Sequence, residues 1–455
     1  MTQVERLATF VAGAAFEDLS DEAVRALNIR ILDSLGCAMG ALGAEPVRMI
    51  REHTEEFGGE PLATLIGGGK TAPDRAALYN GALVRYLDYN DSYLAPKETC
   101  HPSDNLGAVL AASEYAGGTG KDLLTALAVA YQVQCRLSEV APVRGRGFDH
   151  TTQGAYGAAA GTARCLGLDA KKTANAIAIS GTANNALRVT RTGPLSNWKG
   201  LAYPNTGAAA THAAFLALRG ITGPVEVFEG NKGFMDAISG RFEIDWDQED
   251  LESVTRTIVK KYNAEIHSQS ALEGILELRA KHGVRAEDVE SIELETFDVA
   301  YGIIGGGEEG EKKSVRTKEE ADHSLPYMLA VALLDGEVYP AQYEPERIAA
   351  SDVQDLLQKV EVRPAEDHSA RFPEQMPARL RVLVKGGGEF TLEKSDYEGF
   401  LTHPVSWERA LEKFERVASI SVDKRLRESI AGAVRHLEDI ETRELTELLS
   451  TVGTR

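Results

Sequence analysis

Two stretches of this chain, GAYGAAAGTARCLGL (154–168) and NTGAAATHAAFLALRG (205–220), are dominated by alanine, glycine and other small residues within a helical pattern. Helices with side chains this short can approach one another closely, because the size of the contacting side chains sets the distance between axes. The helical pattern runs through the first 220 or so residues. From Ser20, SDEAVRALNIRILDSLG sets Val24, Leu27, Ile31 and Leu35 on one face behind a capping serine and two acids, which predicts an amphipathic helix. A chain of 455 residues is long enough for two or three domains, and its 43% hydrophobic content can bury a full core.

Near residue 263 the pattern changes. VESIELETFD (289–298) alternates like a half-buried strand, LQKVEVRP (357–364) runs from a helix end into another, and ARLRVLVKGGGEFTLEK (378–394) reads as a hairpin around three glycines. Helical patterning returns after about 398. The expected organisation is an all-helical domain (1–263), an inserted smaller α+β lid domain (264–397) and C-terminal helices (398–455) packing back on the first. The fold class is mainly α with an α+β part, and GGGEEGEKK (305–313) is expected to be a mobile loop.

Several function classes are excluded. A formal net charge of −20 argues against nucleic acid and against an anionic membrane surface. No run of 18 uncharged apolar residues and no signal peptide is visible, so a cytoplasmic protein is expected. Cys37, Cys100, Cys135 and Cys165 form no CxxC pair. Gly305, Gly307 and Gly310 spell GxGxxG without the preceding strand, and Thr64 stands where a phosphate loop ending at Gly69, Lys70 and Thr71 needs its first glycine. There is no HExxH pair and no GxSxG elbow. His101, His150, His267 and His323 follow no ligand spacing, so no metal is expected.

Five clusters remain. In LDYNDSYLAPKETCHPSDN, Asp88 and Asp91 precede His101, which a helix-start signal follows; the acids are expected on one face at the end of a helix begun near Asp74. LRVTRTGPLSNWKG gathers Arg188, Arg191 and Lys199, cations suited to carboxylates. KKYNAEIHSQS holds Lys260 and His267 at the expected domain junction, EEADHSLPY holds His323 and Tyr327, and RGRGFDHTTQG sets His150 before a small-residue helix. Each has a plainer reading: turn-forming acids, a loop histidine, a solvated basic loop, a core tyrosine.

Together these segments resemble the MmgE/PrpD family over nearly the whole chain. The resemblance implies a helical domain with an α+β lid, a homodimer, and no metal or organic cofactor. Its likeness to the 2-methylcitrate dehydratase branch implies loss of water from the tricarboxylate 2-methylcitrate to give 2-methyl-cis-aconitate, with citrate a further candidate substrate. By motif match, Asp88, Ser92, His101, His150, Lys199, Lys260 and Tyr327 fall on proposed active-site positions. Ser92 stands where threonine is common and keeps the hydroxyl; Asn263 replaces a common proline.

The expected roles follow from the reaction, which needs a base for a carbon-bound proton, an acid for the leaving hydroxyl and cations for carboxylates. His101 is given the proton at carbon, oriented by Asp88, with His150 or Tyr327 at the hydroxyl. Lys199 and Lys260 hold carboxylates, joined by Arg188 or Arg191. Alternatives are a cis-aconitate decarboxylase, an epimerase of a related amino-dicarboxylate, and a helical interaction protein without catalysis.

Overall fold

The computed structural model of this chain describes residues 1–453. It is mainly α with an α+β part, and divides into two compact units. The first comprises 1–188, 200–257 and the chain from 406 onward; the second comprises 189–199 and 258–405. The boundaries thus fall at 257/258 and 405/406 rather than 263/264 and 397/398, and 189–199 goes with the second unit. No described helix is long and apolar enough to cross a membrane.

In the first unit small residues set the helix spacing. Gly107, on the helix Leu106–Ala116, meets Gly81 on the helix Pro73–Tyr86 so closely that a Cβ there would lie 2.6 Å from the Gly81 amide nitrogen. Gly157 and Gly161, on the helix Thr151–Cys165, likewise rest on the Ala130 and Ala126 carbonyls of Gly120–Val140.

The helix Asp21–Gly40 starts at the Ser20 cap, yet it is not amphipathic throughout. From Asn28 to Met39 every residue is buried. The helix Trp407–Ala418 packs against it, and the polar residues find partners: Arg30 donates to the Thr257 carbonyl at 2.7 Å, and Asp33 pairs with Lys413 at 2.6 Å. Further on, Ser113 and Thr442 share a hydroxyl hydrogen bond of 2.7 Å, joining the C-terminal segment to the same unit.

The second unit is built on a four-stranded sheet in the order Val360–Pro364, Val289–Thr296, Ala378–Val384, Gly388–Lys394. The first pair is parallel and the others antiparallel, with Leu294 opposite Val362 and Leu380. Ile292, Leu294, Leu380 and Val382 bury one face with the helices Gln269–His282 and Leu325–Asp335, each such side chain contributing about 1.5–3 kcal/mol. On the other face Arg379 and Arg381 bridge glutamates of both neighbouring strands, an alternation that fixes the register. Gly386 and Gly387, both at positive φ, make the turn.

The segment 305–313 differs from a solvated loop. Glu309 and Lys312 are buried, the Glu309 amide donates to the Gly302 carbonyl at 2.9 Å, and the Lys312 carbonyl accepts from the Ser324 hydroxyl at 2.5 Å. Its many charges suggest exposure, but these contacts tie it down.

Candidate active site

In the first unit the chemistry gathers where the helix Pro73–Tyr86 ends. That helix stops two residues before Asp88, which takes φ 53° and leaves the helical path. Asp88 and Asp91 therefore do not share a helix face. Asp88 pairs with Arg85 at 2.6 Å, and Arg85 also faces Asp104 at 3.4 Å, all three buried. Burial pushes the Asp104 carboxyl up to about 7, against the charge of Arg85 and a hydrogen bond from Asn90. Asp91 is structural: it accepts from the Ser103 amide at 3.1 Å, the Ser103 hydroxyl at 2.6 Å and the Tyr131 hydroxyl at 2.8 Å.

Those bonds lock the 90s loop against the 3-10 turn Pro102–Asn105, and His101 sits at the joint. Its Nδ1 lies 2.8 Å from the Asp91 main-chain carbonyl and 3.0 Å from Ser92 Oγ. A carbonyl accepts and cannot donate, so Nδ1 carries the hydrogen and, in the neutral ring, Nε2 carries the lone pair. The groups on Nδ1 are thus Asp91 and Ser92, where the sequence suggests Asp88, whose carboxylate pairs with Arg85.

The His150 ring meets His101 edge-on, with centroids 5.3 Å apart. His150 begins the helix Thr151–Cys165, and its Nδ1 faces Asp149 at 3.1 Å. Asp149 in turn faces Arg188 at 3.5 Å, and its amide donates to the Ala186 carbonyl at 2.9 Å. Two imidazoles are therefore held side by side, one against a neutral carbonyl and the other against a carboxylate. Glu98, buried nearby in sequence, accepts from the Val143 and Arg144 amides at 3.0 Å. Burial raises its carboxyl, while Arg188 and those amides oppose the rise.

In the second unit Lys199 pairs with Asp322 at 2.5 Å, and Lys318 and His323 meet the same carboxylate at 2.7 and 2.8 Å. Burial would raise Asp322, but Lys199, Lys318 and His323 hold it well below the usual carboxylate range. Glu265 accepts from His267 Nδ1 at 2.7 Å, and its amide donates to the Asp322 carbonyl at 3.2 Å, which joins the two clusters. Lys260 is fully buried. Asn263 donates its amide to the Val338 carbonyl at 3.1 Å, a bond that proline could not make.

Arg188, Arg191 and Lys199 do not form one set of open cations. Arg188 faces Asp149 in the first unit, while Arg191 and Lys199 belong to the second, where both are buried. Tyr327 lies in the apolar core of the second unit, and its hydroxyl donates to the Gln342 carbonyl. Burial also raises that phenol, which makes it a poorer acid.

The sequence reading missed Asp149, Glu265, Asp322, Arg85 and Asp104. A local signal exists for the first three: each precedes its histidine by one or two positions, as in Asp149–His150, Glu265–Ile266–His267 and Asp322–His323. Burial alone would raise Glu265, yet His267, His323 and Lys260 bring it down to about 2 from 4.5. A lowered acid contributes stability that is complete above its unfolded value and lost as pH falls through the native one. Glu265→Gln is therefore expected to cost about 3 kcal/mol near neutral pH. Thermal melts of the two proteins should converge as pH drops from about 5 toward about 3; a gap that does not change over that range would refute the electrostatic origin.

Comparison with known proteins adds the following. Residues 5–247 match the MmgE/PrpD N-terminal domain and residues 262–439 the MmgE/PrpD C-terminal domain. The chain is 27% identical to cis-aconitate decarboxylase of Mus musculus, over 96% of this chain and 91% of that protein. It is 29% identical to 2-methylcitrate dehydratase of Escherichia coli (strain K12), over 72% of this chain and 71% of the relative. With the mitochondrial 2-methylcitrate dehydratase of Yarrowia lipolytica it shares 28% identity, over 82% and 74%.

Proposed function

The chain belongs to the MmgE/PrpD family, and from that premise we propose that it is a tricarboxylate lyase that removes water from 2-methylcitrate. The observation that carries this reading is the imidazole pair: His101 with its lone pair placed on Nε2 by the Asp91 carbonyl, and His150 backed by Asp149. Elimination needs one group that takes a proton and one that gives a proton.

His101 Nε2 takes the carbon-bound proton beside a carboxylate. The C–H electron pair becomes the new C=C bond, the C–O bond breaks, and the hydroxyl leaves as water with a proton from His150. Both rings then return to their starting states by exchange with solvent. Ser92 and the Asp91 carbonyl orient the base, Asp149 and Arg188 orient the acid, and Asp88 with Arg85 fixes the turn that carries them. Lys199, Lys260 and Arg191 hold carboxylates as charge grows on them, and His267 is set by Glu265 for the same task.

A second reading, decarboxylation of cis-aconitate, is favoured by one observation: the decarboxylase of Mus musculus aligns with 96% of this chain, the dehydratase of E. coli with 72%. There a C–C bond breaks, CO2 leaves, and a protonated imidazole returns a proton to carbon. Incubation with 2-methylcitrate, citrate and cis-aconitate separately, with chelator present, decides between them. The dehydratase reading expects a rise in ultraviolet absorbance from 2-methylcitrate without CO2. Release of CO2 from cis-aconitate with no product from 2-methylcitrate would replace it.

A further inference from the structure

Lys312 stands apart from the other cations of the second unit. Lys199 and Lys318 both lie on Asp322, and Lys261 lies on Glu273 and Glu398. Lys312 is only 7% exposed, yet among the described residues its ammonium makes no ion pair and no hydrogen bond. Burial lowers its affinity for the proton, and the negative charges of Glu309, Glu265, Asp322 and Glu311 only partly oppose this. Glu265 and Asp322 are already engaged, by His267 in one case and by Lys199, Lys318 and His323 in the other.

An ammonium without a bonded partner, on a side chain that is mostly buried, leaves charge that an arriving anion can meet. Its position is built. The Ser324 hydroxyl donates to the Lys312 carbonyl at 2.5 Å and accepts from the Tyr327 amide at 3.1 Å, so one serine fixes Lys312 and caps the helix Leu325–Asp335. That serine follows Asp322 and His323 directly. On the other side, Gln358 donates to the Lys313 carbonyl at 2.9 Å, and the Lys313 ammonium reaches Glu361 at 2.5 Å. Lys312 is thus held from both flanks, next to the carboxylate that binds Lys199.

We propose that Lys312 binds a carboxylate of the substrate and sets the preference for tricarboxylates over dicarboxylates. This rests on the lyase reading above. Lys199 divides its charge between Asp322 and the carboxylate assigned to it above, whereas Lys312 makes no ion pair among the described residues and can take a further carboxylate. Arginine at this position keeps the charge; methionine keeps the stem and loses it.

The test is calorimetric titration of the whole chain with propane-1,2,3-tricarboxylate, which lacks a leaving hydroxyl, and with methylsuccinate, a dicarboxylate. For Lys312→Met the expected result is a Kd raised about tenfold to a hundredfold for the tricarboxylate, the usual span for a hydrogen bond to a charged group, and unchanged for the dicarboxylate. Lys312→Arg should recover most of the loss. Equal weakening for both ligands with a lower Tm, or wild-type binding of the tricarboxylate by Lys312→Met, overturns the proposal alone. No tricarboxylate binding by the wild-type chain overturns this proposal, and only the absence of turnover of 2-methylcitrate, citrate and cis-aconitate by that chain overturns the lyase reading with it.

Discussion

Replacing His101 by alanine is expected to lower kcat on 2-methylcitrate by about 10²–10⁴-fold, the usual range for loss of a general base. The fold should survive, because the groups exposed by truncation, the Asp91 carbonyl and the Ser92 hydroxyl, can both be met by water in the vacated space. His101→Asn is the sharper variant. Its side-chain amide can donate to the Asp91 carbonyl as Nδ1–H does, so the loop stays in place while the basic nitrogen is gone. A kcat near wild type for His101→Asn would remove His101 from the chemistry. Isotope exchange then separates base from acid. If His101 takes the proton from carbon, its variants stop exchange of the substrate C–H with deuterated solvent, whereas His150→Asn, which impairs departure of the hydroxyl, leaves that exchange measurable. The opposite pattern would swap the two roles.

The fold was legible wherever one local pattern decides the outcome. VESIELETFD buries Ile292, Leu294 and Thr296 as its alternation requires, with Val289 buried across a register shift between Val289 and Ser291, and three glycines announce the turn between the last two strands. The burial of Asp21–Gly40 was not legible, since the helix that covers its second face lies far along the chain, and Arg30 and Asp33 look solvent-facing until Thr257 and Lys413 arrive. The same physics governs the site. Histidines whose carboxylate stands one or two positions earlier carry their partner in the sequence, as at His150, His267 and His323. At His101 the partner is a main-chain carbonyl, which no residue type announces, and the nearby acids mislead. Lys312 hides for a different reason: a run of glycine, glutamate and lysine has the composition of a solvated loop, and only the Ser324 and Gln358 bonds show that it is fixed.

Arg85→Met is expected to destabilise the chain by about 3–5 kcal/mol, because it leaves two buried carboxylates without their cation. Arg85 is 2% exposed, donates to Asp88 at 2.6 Å and to Asn90 at 3.3 Å, and faces Asp104 at 3.4 Å. It also lies in the last turn of the helix Pro73–Tyr86, where a cation is favoured by the helix dipole. Asp88 sits at φ 53°, a conformation that costs a non-glycine residue about 1–2 kcal/mol, so its ion pair also offsets backbone strain at the turn leading to His101. The pH dependence identifies the mechanism. Burial raises the Asp104 carboxyl from 3.8 to about 7, so between those values the native chain holds a proton that the unfolded chain has lost. For a raised acid, stability is complete below the unfolded value and lost as pH rises through the native one. Without Arg85 the native carboxyl rises further and the loss extends to higher pH. The stability gap between wild type and Arg85→Met should therefore be widest above about pH 8 and narrow on acidification toward about pH 5. Urea unfolding at both conditions reads it directly; a gap of equal size at the two would mean that lost packing, rather than unpaired carboxylates, accounts for the effect.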